Sequence, residues 1–254
     1  MRVPSPTFCP TCRFQKRLMF RNERVLYRRN CDLCNESMIT IFSPDKPYKV
    51  YCPPCWWSDK WDPSEYAQDY DPNKNFFEQY KELQQKTPFM ALVTGYTTLV
   101  NSPYVNHAGE MKNCYFVFNS DFGENTHYSR KIAHTRDTMD CNMIGNSELM
   151  YWNINCGKCS KLFFSEDCSE CHDIYFSKNL SGCNNCFGCV NLKNQSYHIW
   201  NKPYTKEEYQ NKLKEFKLDS YKSVQQLKKQ AQDFWNTQPI RYTHEMQNEN
   251  ASGD

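Results

Sequence analysis

The sequence predicts a mainly β protein with some α-helix, built as a zinc-ribbon-like module, short helices, a cysteine-rich β-solenoid (β-helix-like) repeat and C-terminal helices. Three observations predict this fold class. The chain holds 15 cysteines against 8 glycines in 254 residues, two CxxC pairs have the spacing of a structural zinc site, and a short cysteine-anchored repeat fills the middle. The expected units are a zinc-binding basic module (1–62), a helical linker region (63–100), the solenoid (101–202), capping helices (203–236) and a loose tail (237–254).

Composition excludes several classes of protein. The net charge is +2 and aromatic residues make up 15%, which excludes a histone-like basic protein and a disordered chain. The longest apolar run, Phe89 to Val93, is too short to span a bilayer, so no membrane partner is expected. No export signal is visible after Met1, and CxxC cysteines favour a reducing compartment. We therefore expect a cytoplasmic protein, with a secreted disulfide scaffold as the alternative.

The metal-binding prediction for the N-terminal module comes from paired cysteines. Two CxxC pairs are separated by 17 residues, within the C-x2-C-x15–20-C-x2-C pattern of structural zinc. A CxxC turn brings two thiolates close enough to share one tetrahedral ion, so structural zinc is the predicted cofactor. Its predicted ligands are Cys31, Cys34, Cys52 and Cys55. Residues 37–42 and 48–51 are expected to form a hairpin between the pairs.

A third pair, Cys9 and Cys12, has no evident partner pair, and we include it among the candidate metal ligands. The Cys52-Pro-Pro-Cys55 segment also has the form of a redox-active pair, but the βαβ context of such a motif is missing. Three tryptophans at positions 56, 57 and 61 are expected to form a small core over the metal; a stacking platform for bases or sugars is the alternative.

Residues 1–30 are strongly basic. They carry eight basic side chains and one acidic side chain, Glu23. Apolar residues near helical spacing suggest that part of this stretch is an amphipathic helix, and a basic helix beside a zinc module could bind phosphates. The alternative is a solvated charged face. The candidate nucleic-acid-binding residues are Arg13, Lys16, Arg17, Arg21, Arg24, Arg28 and Arg29.

Two further helical segments follow from periodicity and capping signals. Residues 75–86 are expected to form a helix with Phe76, Phe77, Tyr80 and Leu83 as its buried stripe. Near the C-terminus, Thr205 and Glu208 form a capping box, and a last helix is expected over Val224 to Trp235. The C-terminal helices would cap the solenoid.

The middle of the chain contains an internal repeat. Its anchors are Cys114, Thr126, Cys141, Cys159, Cys171 and Cys186, spaced by 12, 15, 18, 12 and 15 residues. Each unit suggests one short strand and one turn, and stacked units bury what one alone cannot. Paired units cover 111–137 and then 138–167, which predicts a long solenoid coil with two strand-bearing sides. Asn and Asp at the turns would replace scarce glycine, because they tolerate left-handed backbone angles.

The solenoid cysteines form further CxxC pairs, which have two competing interpretations. If CxxC turns face each other, they bind additional zinc; if the anchors stack, they form a buried ladder of small apolar side chains. An iron–sulfur cluster is a third option that the spacing does not favour. The candidate ligands are Cys156, Cys159, Cys168, Cys171, Cys183 and Cys186.

Several motifs together resemble a known family. They include Val3-Pro-Ser-Pro-Thr-Phe-Cys-Pro-Thr-Cys-Arg13, Cys55-Trp-Trp-Ser-Asp-Lys-Trp-Asp62 and Cys186-Phe-Gly-Cys-Val-Asn-Leu192. The chain resembles an uncharacterised family of multi-CxxC proteins, common in environmental and candidate-phylum bacteria, over almost its whole length. The resemblance implies no activity and no catalytic residues. Family members usually carry another cysteine pair upstream and a second cysteine repeat downstream, so the hypothesis is a fragment or a shortened member.

The sequence shows no evident catalytic nucleophile with a general base, and the six histidines lack the spacing of a metal-hydrolase motif such as HExxH. The expected function is therefore a non-enzymatic, zinc-stabilised binding or scaffold protein, with RNA or DNA as the ligand of the basic segment. A polysaccharide-active solenoid enzyme and a purely structural module for a protein partner are the alternatives.

Overall fold

The structure, a computed structural model, describes residues 5–19 and 22–240. Five α-helices are present in these ranges: α1 (Pro10–Leu18), α2 (Pro53–Trp56), α3 (Phe76–Lys86), α4 (Lys206–Glu215) and α5 (Tyr221–Asn236). The strands before the repeat are β1 (Tyr27–Asn30), β2 (Ser37–Thr40), β3 (Val50–Tyr51) and β4 (Phe89–Met90). No helix in these ranges is both long and apolar enough to cross a membrane.

One ten-stranded sheet follows. Its strands are β5 (Val105–Lys112), β6 (Val117–His127), β7 (Arg130–Met139), β8 (Asn142–Tyr151), β9 (Ile154–Gly157), β10 (Ser160–Phe163), β11 (His172–Tyr175), β12 (Asn184–Phe187), β13 (Ser196–Ile199) and β14 (Lys202–Pro203). The sheet and the N-terminal cysteines confirm the predicted fold class. Most of the predicted tail, residues 241–254, lies outside the described residues.

The N-terminal module has a different strand pairing from the predicted hairpin. β2 pairs antiparallel with β1, and β3 pairs parallel with β4. The predicted pairing of residues 37–42 with 48–51 is therefore wrong. The distant Phe89 packs its ring 5.0 Å from that of Phe42 and 5.4 Å from that of Tyr48. These aromatic contacts favour β4 as the partner of β3 over the segment that is nearer in sequence.

The solenoid coil is shorter than predicted. Successive parallel strands pair residues 12 positions apart, as in Leu162 with Ile174 and Ile174 with Cys186. The predicted coil, which joined two repeat units, is therefore wrong. Equivalent inward positions in successive coils form a column. The anchor spacing is irregular because each coil has several such columns, and cysteine occurs in more than one of them. Cys114 and Cys141 belong to different columns, so their separation is a multiple of three and not of the coil length.

The repeat has an internal period of three residues. Along β7, one residue in three is buried, and one in three has a left-handed backbone, as at Lys131, His134 and Asp137 with φ of 52° to 53°. Each left-handed residue turns the chain, so no side is longer than a few residues. The predicted use of Asn at these positions is confirmed at Asn101 and Asn113, but large side chains occupy others.

Hydrogen bonds between equivalent polar residues in successive coils stabilise the turns and the interior. On the outside, Asn101 Nδ2 donates to Asn113 Oδ1 at 3.1 Å. Inside, the Oδ1 of Asn153 accepts from the Ser165 N–H at 2.9 Å, and the Ser165 Oγ accepts from the Ser177 N–H at 3.2 Å. These side chains satisfy buried backbone donors, which explains the serines of the repeat.

The C-terminal helices pack on the outer side of the last coils. α4 begins with the predicted capping box of Thr205 and Glu208. The Phe216 ring stacks 4.0 Å from that of Phe187, and the Trp235 Nε1 donates to the Phe176 carbonyl at 3.2 Å. The predicted helices are present, and the surface they cover is the aromatic side of the solenoid.

The predicted buried stripe of α3 is wrong. Phe76, Phe77 and Tyr80 are 53% or more exposed, whereas Gln79 is buried. The Gln79 side chain accepts from the Asp71 N–H at 2.9 Å and donates to the Asp71 carbonyl at 3.0 Å. The inner face of α3 therefore holds the polar Gln79 side chain, which is hydrogen-bonded to the loop before the helix.

Gly188 tests the turn geometry of the late coils. Its φ is +64°, and a Cβ there would meet the Trp200 ring at 2.4 Å. We expect Gly188→Ala to lower the free energy of unfolding by about 2 kcal/mol or more, because left-handed strain and overpacking add. Urea unfolding followed by circular dichroism measures the change. Gly145→Ala, with nothing within 4 Å of its Cβ, is the control; equal midpoints for the two variants would contradict the account.

Candidate metal centre

Two CxxC turns of the N-terminal module converge on one point. The sulfur atoms of Cys31, Cys34, Cys52 and Cys55, which we call the four-cysteine cluster, all lie within 4.8 Å of one another. The first pair follows β1, and the second begins after β3, where Pro53 opens the short helix α2. The four predicted ligands are thus brought together as a possible metal site with four thiol donors.

Backbone donors and burial tune the thiols of the four-cysteine cluster. Burial raises the pKa of Cys31, but N–H groups of Cys34 and Cys52 oppose it and bring the pKa to about 7. The Cys52 N–H lies 3.3 Å from the Cys31 sulfur. Burial raises the pKa of Cys52 and of Cys55. A metal ion requires deprotonated thiols and supplies the positive charge that favours them.

The surroundings of the four-cysteine cluster hold its two pairs in register. The Asp32 carboxylate accepts from the Val50 N–H at 2.7 Å and from Arg29 at 2.9 Å. It therefore ties the first cysteine turn to the strand before the second. Sequence analysis missed this role, and the signal was an acid inside the Cys31-Asp-Leu-Cys34 turn.

Two of the three tryptophans cover the cluster. Trp56 and Trp61 pack against its apolar core, with ring centroids 4.8 Å apart. Trp57 is 64% exposed and does not belong to that core. The predicted tryptophan core is therefore formed by two rings, because Trp57 follows the short helix α2 and faces solvent.

Cys9 and Cys12 are not brought to the four-cysteine cluster. Both are exposed, and Cys9 caps α1, where its sulfur accepts from the Cys12 N–H at 3.4 Å. Within residues 5–19 and 22–240, the four-cysteine cluster is the one group of three or more such side chains at metal-binding distance. Metal binding by Cys9 and Cys12 stays a prediction, because no further ligands lie at metal-binding distance from this pair among the described residues.

The solenoid cysteines are stacked inside the coils as a ladder. All nine are buried. Cys159, Cys171 and Cys183 follow one another in a single column, one per coil. The thiols donate to the carbonyl two residues earlier, as from Cys159 to Gly157 at 3.1 Å and from Cys171 to Ser169 at 3.2 Å. A protonated thiol makes these bonds, and a metal-bound thiolate does not.

Their electrostatics vary along the ladder. Burial raises the pKa of Cys141 to about 11, whereas the neighbouring Cys171 side chain in the next coil lowers the pKa of Cys159. In the part of the chain that the structure describes, none of the six candidate ligands converges with two others into a metal-binding group. The geometry favours the ladder over the predicted zinc sites at Cys156, Cys159, Cys168, Cys171, Cys183 and Cys186.

The candidate nucleic-acid-binding residues differ in exposure and in contacts. Lys16, Arg17, Arg24 and Arg28 are exposed, and Arg13 is half-buried. Arg29 is 12% exposed and is held by Asp32 and by the Tyr48 carbonyl at 3.2 Å, so it has a structural contact. Arg21 lies outside the described residues. The predicted helix is confirmed as α1, but it has no buried residue, and its apolar residues Phe14 and Leu18 are exposed.

Together these features define a class of protein: a β-solenoid joined to a small module with a four-cysteine cluster suited to a metal. A scan against protein-family models finds no match to the chain, and a search of curated proteins finds none either. The likeness to the multi-CxxC family therefore rests on the motifs in the sequence.

Proposed function

We propose that the protein is a non-enzymatic binding scaffold whose N-terminal module is stabilised by one structural zinc ion at the four-cysteine cluster. The convergence of four sulfur atoms within 4.8 Å carries this proposal. Four thiolates are the donor set of closed tetrahedral zinc sites, and they leave no position for a substrate or water. The cytoplasm is the proposed compartment, because its reducing conditions keep such thiols free for a metal.

We further propose RNA or DNA as the ligand of this scaffold, bound by the exposed part of the basic segment. Lys16 and Arg17 lie on α1, and Arg28 lies on β1. Lys16 and Arg17 stand over the Phe8 and Phe14 rings, which leaves cationic and aromatic groups together on an exposed surface. Such groups suit a phosphate backbone and unstacked bases.

Fluorescence anisotropy with labelled single-stranded RNA, single-stranded DNA and duplex DNA tests this proposal. With about four phosphate contacts, duplex affinity should fall roughly a hundredfold between about 50 and 200 mM salt. The triple substitution Lys16→Ala, Arg17→Ala, Arg28→Ala should weaken binding and flatten the salt dependence.

The matched control removes three exposed lysines from the C-terminal helices, as Lys206→Ala, Lys214→Ala, Lys229→Ala. It lowers the net charge equally. Equal losses in the two triple variants would show a general charge effect, and no binding at low salt would overturn the nucleic-acid proposal. The zinc proposal is tested separately, by metal content.

A further inference from the structure

A column of aromatic side chains runs along the outer side of the solenoid, with one residue per coil. We call it the aromatic column, and from Phe116 onward its members have a left-handed backbone. Neighbouring rings stack, with centroids 6.2 Å apart for Tyr104 and Phe116 and 6.1 Å apart for Phe116 and Tyr128. Asp140 takes the place of a ring in one coil and interrupts the column. The members before a second position without a ring, Gly188, are Tyr104, Phe116, Tyr128, Trp152, Phe164 and Phe176.

The interruption leaves an open gap between two rings. Tyr128 is 52% exposed and Trp152 is 38% exposed. They stand two coils apart, which corresponds to roughly 9.6 Å at the usual strand spacing. Phe116 covers one side of Tyr128. Lys228 of α5 lies 3.8 Å from the Trp152 ring centre and 5.1 Å from that of Phe164. It marks the half of the aromatic column that the C-terminal helices cover.

The gap is part of a cleft of about 730 Å³ that also contains Arg24, Arg130 and Asn142. Arg130 and Asn142 are register partners on neighbouring strands. The Arg130 Nε and the Asn142 Oδ1 are both buried and have no hydrogen-bond partner. A ligand cannot reach these two buried atoms, but the Arg130 side chain is 24% exposed and Asn142 is half-buried, so their exposed atoms can pair with polar groups of a ligand in the cleft.

The described residues around the gap carry charges of both signs. Arg24, Arg130 and Lys228 are cationic, whereas Asp140 and Glu23 are anionic. Glu23 lies 3.9 Å from Arg130 and accepts from the Asn119 amide at 2.8 Å. Because acidic groups offset most of this positive charge, the cleft gives a phosphate-bearing ligand little electrostatic advantage. Asp140 between the rings is suited to accept hydrogen bonds from hydroxyl groups.

We propose that this cleft binds a pyranose ring of a neutral oligosaccharide between Tyr128 and Trp152. The sugar's apolar faces pack on the two rings, and its hydroxyls pair with the Asp140 carboxylate and with the exposed atoms of the Arg130 and Asn142 side chains. Two contacts of a flat base, at about 3.5 Å each, span only about 7 Å, whereas a thicker puckered sugar ring fills more of the gap. This site shares Arg24 with the basic segment but contains none of Lys16, Arg17 and Arg28, and it is separate from the four-cysteine cluster.

Isothermal titration of the full chain with cellohexaose, maltohexaose and chitohexaose tests the proposal, with AMP and UMP as planar-base probes. We expect at least one hexasaccharide to bind, and Trp152→Ala and Tyr128→Ala each to weaken it tenfold or more. Asp140→Asn should weaken it less, because the amide keeps one acceptor oxygen.

Phe122→Ala is the matched control. Phe122 is an exposed aromatic residue, also at a left-handed position, that stacks on His134 away from the aromatic column. It should keep wild-type affinity, and urea midpoints check that each variant is folded. Absence of binding to all three hexasaccharides, wild-type affinity in both Trp152→Ala and Tyr128→Ala, or binding of the nucleotides alone would overturn the proposal.

Discussion

Replacement of Cys55 by serine is expected to release the metal and unfold the N-terminal module while the solenoid stays folded. Cys55 is 5% exposed, and its sulfur belongs to the four-cysteine cluster. The module has few fully buried apolar side chains besides Val50 and Ala91. A core of that size depends on a bound metal, and structural zinc contributes about 10–16 kcal/mol in zinc-finger peptides.

The measurement combines metal content by elemental mass spectrometry with thermal unfolding. Wild type should hold about one zinc per chain and lose the module's transition on chelation, and Cys55→Ser should hold none. Cys9→Ser is the control, because Cys9 is exposed and lies outside the cluster. A metal-free wild-type protein with unchanged unfolding would rule out the zinc centre, and loss of metal in Cys9→Ser would give that pair a ligand role.

Ile174→Asp is expected to unfold the solenoid. Ile174 is fully buried in β11, between Leu162 and Cys186 of the adjacent coils. The change removes about 1.5–3 kcal/mol of apolar burial and places a carboxylate among apolar side chains, at several kcal/mol more. The sum approaches the whole stability of an ordinary domain. Because each coil packs on its neighbours, the loss spreads along the repeat.

Urea unfolding by far-ultraviolet circular dichroism measures this effect, with Ile174→Ala as a graded variant expected to lose about 2–5 kcal/mol. Ser169→Asp is the matched control. It adds the same charge at an exposed position of the same coil and should change stability by less than about 0.5 kcal/mol. A soluble Ile174→Asp protein with a wild-type midpoint would show that this column is not the core.

Features with short-range causes could be predicted from the sequence. The 17-residue separation of two CxxC pairs was enough to identify the four-cysteine cluster, because each turn fixes two sulfurs locally. The capping box of α4 follows equally from adjacent residues, and so does most of α5, which begins at Tyr221 and not at the predicted Val224. The repeat was also detectable, because its anchors are chemically distinctive.

The register between successive coils and the pairing of strands distant in sequence could not be predicted. The true coil length was hidden because cysteine occupies several inward columns, so that Cys114 and Cys141 looked equivalent. The pairing of β3 with β4 depends on Phe89 meeting Phe42 and Tyr48 across the module, a contact that no local pattern shows.

The sequence by itself determined the kinds of element and the members of the four-cysteine cluster, because turn chemistry, caps and thiol spacing act within a few residues. The tertiary structure decided which cysteines face one another and which are only stacked inside the coils. It also decided that Tyr128, Asp140 and Trp152 share one cleft. Residues at equivalent positions of successive coils become neighbours only when the coil closes, and the coil length is set by left-handed turns and inward packing summed over the whole repeat.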